Sequence, residues 1–169
     1  QYVSEFQVNQ HTADAQQFPK VAALTGGGFV VVWQSNHQDG SLHGVYFKVY
    51  DSYGNGGSET KANSYTDDDQ DTPDVAGLSD GKFVVVWENM KSGSDEIAAR
   101  IFFPSGNPYD GEFQVNAATS GHQTKPVVTA LVGGGFVVVY QSDKDGNGQE
   151  IYGRIFNNDG SARTGEFRI

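Results

Sequence analysis

The residues best suited to chemistry in this chain are carboxylates beside glycine turns. In "SDKDGNGQEIYG", Asp143, Asp145, Asn147 and Glu150 set oxygen atoms at short alternating intervals around a tight turn. Hard cations such as calcium or magnesium require oxygen ligands of this kind, although the loop is shorter than an EF-hand loop. The corresponding "SNHQDGSLHG" keeps Asp39 and Ser41, and "NMKSGSDEI" keeps Asp95 and Glu96, so only one of these loops carries a full ligand set. A solvated Asp-Gly turn is the competing reading of the same residues. The acidic run "TDDDQDTPD", with Asp67, Asp68, Asp69, Asp71 and Asp74, reads as an exposed loop that would hold a divalent ion weakly.

Catalytic patterns are scarce. His11, His37, His43 and His122 lie in separate loops, no serine sits in a Gly-x-Ser-x-Gly elbow, and no glycine-rich phosphate loop precedes a helix. The expectation is a protein that is not an enzyme, with a glycosidase-type carboxylate pair as the one catalytic alternative. The absence of cysteine excludes thiol chemistry, zinc thiolates and disulfide staples. A formal charge of -10 and a pI near 4.6 oppose binding to nucleic acid or to an anionic membrane surface. No stretch approaches the ~18 apolar residues of a membrane span, so membrane insertion is not expected. An opening Gln1 in place of Met fits a processed, secreted chain.

The elements that must position these loops are short strands. Apolar residues come in brief runs divided by Gly, Asn, Asp and Ser, without helical spacing. One run occurs three times, as "GGGFVVVWQS", "DGKFVVVWEN" and "GGGFVVVYQS", which places Phe29, Phe83 and Phe136 at intervals of 54 and 53 residues. Asn9, Asn63 and Asn116 keep the same beat, as do Pro19, Pro73 and Pro126, and Leu24, Leu78 and Leu131. The chain is therefore a threefold internal repeat.

Each unit reads as four strands: a small apolar one ("PKVAALT"), the Phe-Val-Val-Val strand, an alternating one ("GVYFKVY", "EIYGRIF"), and one around "GEFQVNA". The units span roughly 10–63, 64–116 and 117–169, and "SEFQVN" at 4–9 supplies a surplus fourth-strand motif. Four strands in about fifty residues is the size of a β-propeller blade, with a three-fold trefoil or prism as the alternative. Three blades are fewer than a propeller of roughly four to eight uses. An all-β, propeller-like half of a six-bladed, two-chain assembly is the expected fold. The surplus motif is either a frayed terminus or a strand exchanged between chains.

Taken together, "EFQVN", "Q..P.V", "GGGFVVVWQS", "QDG" or "DKDG", and "IYGRIF" resemble the repeats of bacterial RTX-toxin-like extracellular proteins across essentially the whole chain. The chain is also similar to the RTX-like apoproteins of blue carotenoproteins from marine sponges. That resemblance implies a carotenoid as ligand and a homologous or identical chain as partner. The first strands agree in being apolar: Val21, Ala23, Val75, Val128 and Ala130 would line a dry channel for an elongated apolar molecule, or else fill an ordinary core. Trp33, Trp87 and Tyr140 are the aromatic candidates for packing or ligand contact. The function expected first is a secreted binding protein, stabilised by divalent cations, that encloses such a pigment. A calcium-dependent lectin or adhesion module is the alternative.

Overall fold

Each repeat folds as its own antiparallel sheet in this computed structural model, which describes residues 4–91 and 93–169. Blade 1 contains β1 (Gln16–Ala23), β2 (Phe29–Asn36), β3 (His43–Tyr50) and β4 (Thr60–Lys61). Blade 2 contains β5 (Gln70–Gly77), β6 (Phe83–Lys91), β7 (Ser94–Phe102) and β8 (Phe113–Gln114). Blade 3 contains β9 (Gln123–Ala130), β10 (Phe136–Ser142), β11 (Glu150–Phe156) and β12 (Phe167–Arg168). Strand order within every sheet is the order in the chain, and no strand is shared between sheets. The fold is all-β and propeller-like.

The repeated apolar run forms the second strand of each blade. In blade 2 both of its faces are buried, whereas Phe29 and Val31 of blade 1 and Val137 and Val139 of blade 3, on the faces toward the open ends, are half-buried. Val84 and Val86 point into a core shared with Phe136, Val138 and Tyr140 of blade 3. Phe83, Val85 and Trp87 point the other way, into a core shared with Val30, Val32 and Phe47 of blade 1. Strand side chains alternate, so a strand between two blades must be apolar at every position. Cross-strand ring pairs brace each blade: Phe29 stacks on Tyr50 at 4.8 Å, Phe83 on Phe102 at 5.5 Å and Phe136 on Phe156 at 5.2 Å.

β5 packs against β1 on one side and β9 on the other, whereas β1 and β9 do not pack together as neighbouring blades do. The blades therefore form an open arc. Its two ends expose apolar side chains, Phe18 and Val21 on blade 1 and Val127 and Ile151 on blade 3.

The Asn landmarks are corner staples. Asn63 Oδ1 accepts from Val45 N, while its Nδ2 donates to Tyr65 O and Gln70 Oε1; Asn116 repeats the set with Ile97, Ala118 and Gln123. These bonds tie the third strand of one blade to the connection leading into the next. Asn63→Ala orphans a buried backbone N–H and a buried Gln, so unfolding in urea should show a loss of about 2 kcal/mol.

The Pro landmarks mark a bulge. Each first strand slips register there, and the residue before the Pro has positive φ: 53° at Phe18, 45° at Thr72 and 53° at Lys125. A β-branched residue fits that region badly. Thr72→Gly should raise the stability by about 1 kcal/mol in the same assay.

The surplus motif at Ser4–Asn9 forms no ladder, because no third strand of its own blade stands beside it. It nevertheless lies on blade 1 as an outer strand lies on the next blade. Glu112 accepts from Ser64 N after β4, Glu166 accepts from Ala117 N after β8, and Glu59 accepts from Gln10 N after the motif. Lys48 reaches Val8 O as Arg100 reaches Ala62 O and Arg154 reaches Val115 O. The segment stands in for the outer strand of a preceding blade.

Candidate functional site: a groove between blades 1 and 2

One position of the fourth-strand motif departs from the pattern. Phe6, Phe113 and Phe167 follow the repeated Glu, but Thr60 stands there in blade 1. Between blades 2 and 3, the Phe113 ring fills the space: it lies 5.6 Å from Phe156, and a Cβ on Gly160 would sit 3.1 Å from it. Between blades 1 and 2, Thr60 is too short to do this, and the ring comes instead from its cross-strand partner Phe47, which lies 4.7 Å from Phe102. A Cβ on Gly106, the equivalent of Gly160, would have the Thr60 hydroxyl at 3.6 Å and the Phe47 ring edge at 3.8 Å. A groove of about 520 Å³ results, against about 310 Å³ at the filled position.

Leu24, Phe47 and Val49 give the groove an apolar floor, and Ser52, Ser58, Thr60 and Ser105 give it a hydroxyl rim. It lies at the end of the sheets that carries the β1–β2 turn and the third-to-fourth-strand connections. Asp51 is the one carboxylate of the lining, and it is occupied. Its oxygens accept from Asn55 Nδ2, Asn55 N and Tyr53 N, and these bonds, the Asn55 side chain first, hold its carboxyl below the usual range. No cationic side chain lines the groove. Such a site suits a neutral ligand with an apolar face and several hydroxyls.

Within the predicted cation loop, Asp145, Asn147 and Glu150 come together, Asp145 lying within hydrogen-bonding reach of both others, while Asp143 turns away to the neighbouring connection. Asp143 accepts from His122 N, Asp145 caps the turn by accepting from Asn147 N, and Glu150 is paired with Arg168. Asp143 is the one acid of the four predicted ligands that stands apart from this group. Asp39, with its side chain 2% exposed, accepts from Ser41 N and lies 3.4 Å from Asn63 Nδ2. Burial, with Asp39 and Glu59 nearby, pushes the Tyr46 hydroxyl up to about 12. Among the described residues, three His or carboxylate donor atoms converge only at His43, Asp69 and Asp71.

The predicted channel residues are divided among different surroundings. Val75 is buried between blades 1 and 2, Val128 and Ala130 pack against the core between blades 2 and 3, and Val21 and Ala23 are exposed at the open end. The sheets stand face to face around the arc, so inner-strand side chains point at the neighbouring blade. Trp87 and Tyr140 are packing residues at the two interfaces, the Tyr140 hydroxyl donating to Glu166 at 2.7 Å. Trp33 is buried and donates its indole N–H to Gln16.

No protein-family model and no curated protein matches the sequence. Solved structures do match in fold. The Hadza microbial sialidase Hz136 aligns over 88% of this chain and 36% of its own, at 11% identity and a TM-score of 0.65. An alpha-L-arabinanase of Penicillium chrysogenum, complexed with arabinobiose, aligns over 89% of this chain and 44% of its own, at 15% identity and 0.60. A fucose lectin of Kordia zhangzhouensis, in complex with methyl-fucoside, aligns over 89% of this chain and 96% of its own, at 10% identity and 0.54. The chain thus spans less than half the length of the first two. At these identities the likeness is one of fold alone.

Proposed function

We propose that this chain is a non-catalytic binding module whose groove between blades 1 and 2 takes a neutral saccharide. The observation that carries the reading is the exchange of ring positions in blade 1, Phe47 paired with Thr60 where blade 2 pairs Ala99 with Phe113, which leaves an amphipathic groove above Phe47 at a place that Phe113 covers in the other interface. A sugar ring offers an apolar C–H face to the floor and hydroxyls to the serine rim. Glycoside hydrolysis uses two carboxyl groups about 5 to 9.5 Å apart, and this groove presents only Asp51, already bonded to its own turn. The arabinobiose and methyl-fucoside bound to the fold neighbours support the choice of ligand class. Calorimetric titration with a panel of neutral mono- and disaccharides tests it. Binding that Thr60→Phe removes supports the reading, and no binding across the panel contradicts it.

The arc itself works as half of a ring. Blade 1 exposes the inner part of the surface with which blades 2 and 3 receive a preceding blade, the 4–9 segment covering its outer part, and blade 3 exposes the surface with which blades 1 and 2 cover the next. A second three-blade chain meets both, head to tail, and closes six blades. Sedimentation should show a dimer that Ile151→Glu dissociates; a monomer at every concentration contradicts pairing.

A second reading, enclosure of an elongated apolar pigment such as a carotenoid by the paired chains, is favoured by the exposed Phe18, Val21 and Val127 at the ends of the arc. It demands a visible absorption band from protein of native source that disappears on organic extraction.

A further inference from the structure

At the end of the sheets opposite the groove, blades 1 and 2 meet through His43, Asp69 and Asp71. Asp69 and Asp71 flank Gln70, so both carboxylates share one side of the strand while Gln70 turns to Asn63. His43, the first residue of β3, comes across from blade 1. Its Nδ1 lies 2.8 Å from Asp69 Oδ1 and 2.9 Å from Asp71 Oδ1. All three atoms are shut off from solvent, and the two carboxylate oxygens have the single His43 Nδ1 between them as their near neighbour. A ring N–H serves one carboxylate oxygen at a time, so imidazole alone leaves a buried oxygen unmet. A dication accepts lone pairs from all three atoms at once. Tetrahedral ligands with bonds of about 2.1 Å stand about 3.4 Å apart. The three donor atoms here all lie within 4.8 Å of one another, so shifts of a few tenths of an ångström, about the size of a rotamer adjustment, bring them onto one ion.

The repeat supplies an internal comparison. At the boundary of blades 2 and 3, the positions equivalent to His43 and Asp69 hold Asp95 and His122, with the two residue types exchanged. His122 Nδ1 lies 2.9 Å from Asp95 Oδ2, but the position of Asp71 is taken by Thr124. That boundary has a simple His–Asp pair in which the His122 ring is half exposed. Only the boundary of blades 1 and 2 adds a second carboxylate, and there it closes the donors off from water.

We propose that His43, Asp69 and Asp71 bind a transition-metal dication of the zinc class and that the ion clamps blade 1 to blade 2. One imidazole nitrogen with two carboxylates is a donor set for zinc and its neighbours, whereas calcium and magnesium take oxygen. The site is separate from the groove and from the Asp143 loop, so its failure leaves the saccharide reading untouched.

Zinc titrated into metal-stripped protein tests this, read by calorimetry and by the thermal midpoint. About one equivalent should bind, and the midpoint should rise by roughly 5 °C or more at an excess of about 1,000 Kd. His43→Gln and Asp71→Asn should each weaken binding by at least about 30-fold, while His122→Gln leaves it unchanged. Zinc-edge anomalous scattering from a soaked wild-type crystal should place the ion between His43 and Asp71, which needs no variant to fold. No binding by the wild type, equal binding by both ligand variants, or a zinc peak elsewhere overturns the proposal.

Discussion

Thr60→Phe is expected to abolish saccharide binding while making the protein more stable. The ring would cover the groove over Val49 and beside Gly106, since Phe47 already holds the place against Phe102 that Phe113 takes against Phe156 one blade further on. Affinity should fall by at least about 100-fold, equivalent to about 2.7 kcal/mol. Burying the ring should add about 1 kcal/mol to stability, because the groove already has an apolar floor and a glycine wall. The opposite signs matter, since a variant that lost binding by misfolding would lose stability as well. Calorimetric titration and urea denaturation on one preparation read both effects. The reverse change, Phe113→Thr, should open the second interface at a stability cost of about 3 kcal/mol.

Trp87→Ala carries the largest expected loss of stability, about 4 kcal/mol by urea denaturation. Trp87 is completely buried where blade 2 meets Val30, Val32 and Phe47 of blade 1. Its removal leaves a cavity at an interface that rigid neighbouring strands cannot collapse to fill. A loss of that size is a large share of the roughly 5 to 15 kcal/mol that holds a domain together. Trp87→Phe should cost far less, about 1 kcal/mol, because the indole N–H has no hydrogen-bond partner in its buried site. Equal losses in the two variants would show that Trp87 does not pack as described.

Much of the architecture was legible in the sequence because the repeat wrote it three times. The Phe-Val-Val-Val runs marked the second strands, of which the one in blade 2 is buried on both faces, and the Asn and Pro landmarks kept the period, although their tasks as corner staples and bulges appear only in three dimensions. Alternation along the first strand showed that Val75 and Val128 are inner-strand residues. It did not show that their side chains turn toward neighbouring blades, since that direction depends on how the sheets stand together. The acidic loop had the composition of a cation site, and Asp145 and Glu150 do come together, with Arg168 paired to Glu150, while Asp143 is drawn off by the His122 backbone amide. Thr60 was visible as a break in "GEFQVN", but a missing ring means a groove only once two blades are seen to meet there. His43 and Asp69 are 26 residues apart in different blades, a separation that no local pattern bridges.

The central claim is that the Thr60 groove is the binding site, and the most direct measurement is an amide-resolved NMR titration of the wild-type chain with a neutral disaccharide. Shifts should concentrate at Gly26, Gly28, Ser58, Thr60 and Gly106, which line the groove, and should saturate together. Gly160 and Asp110, at the plugged interface, should not move. A saturating ligand whose shifts fall at the plugged interface or on the exposed ends of the arc, with the Thr60 groove silent, would contradict the account.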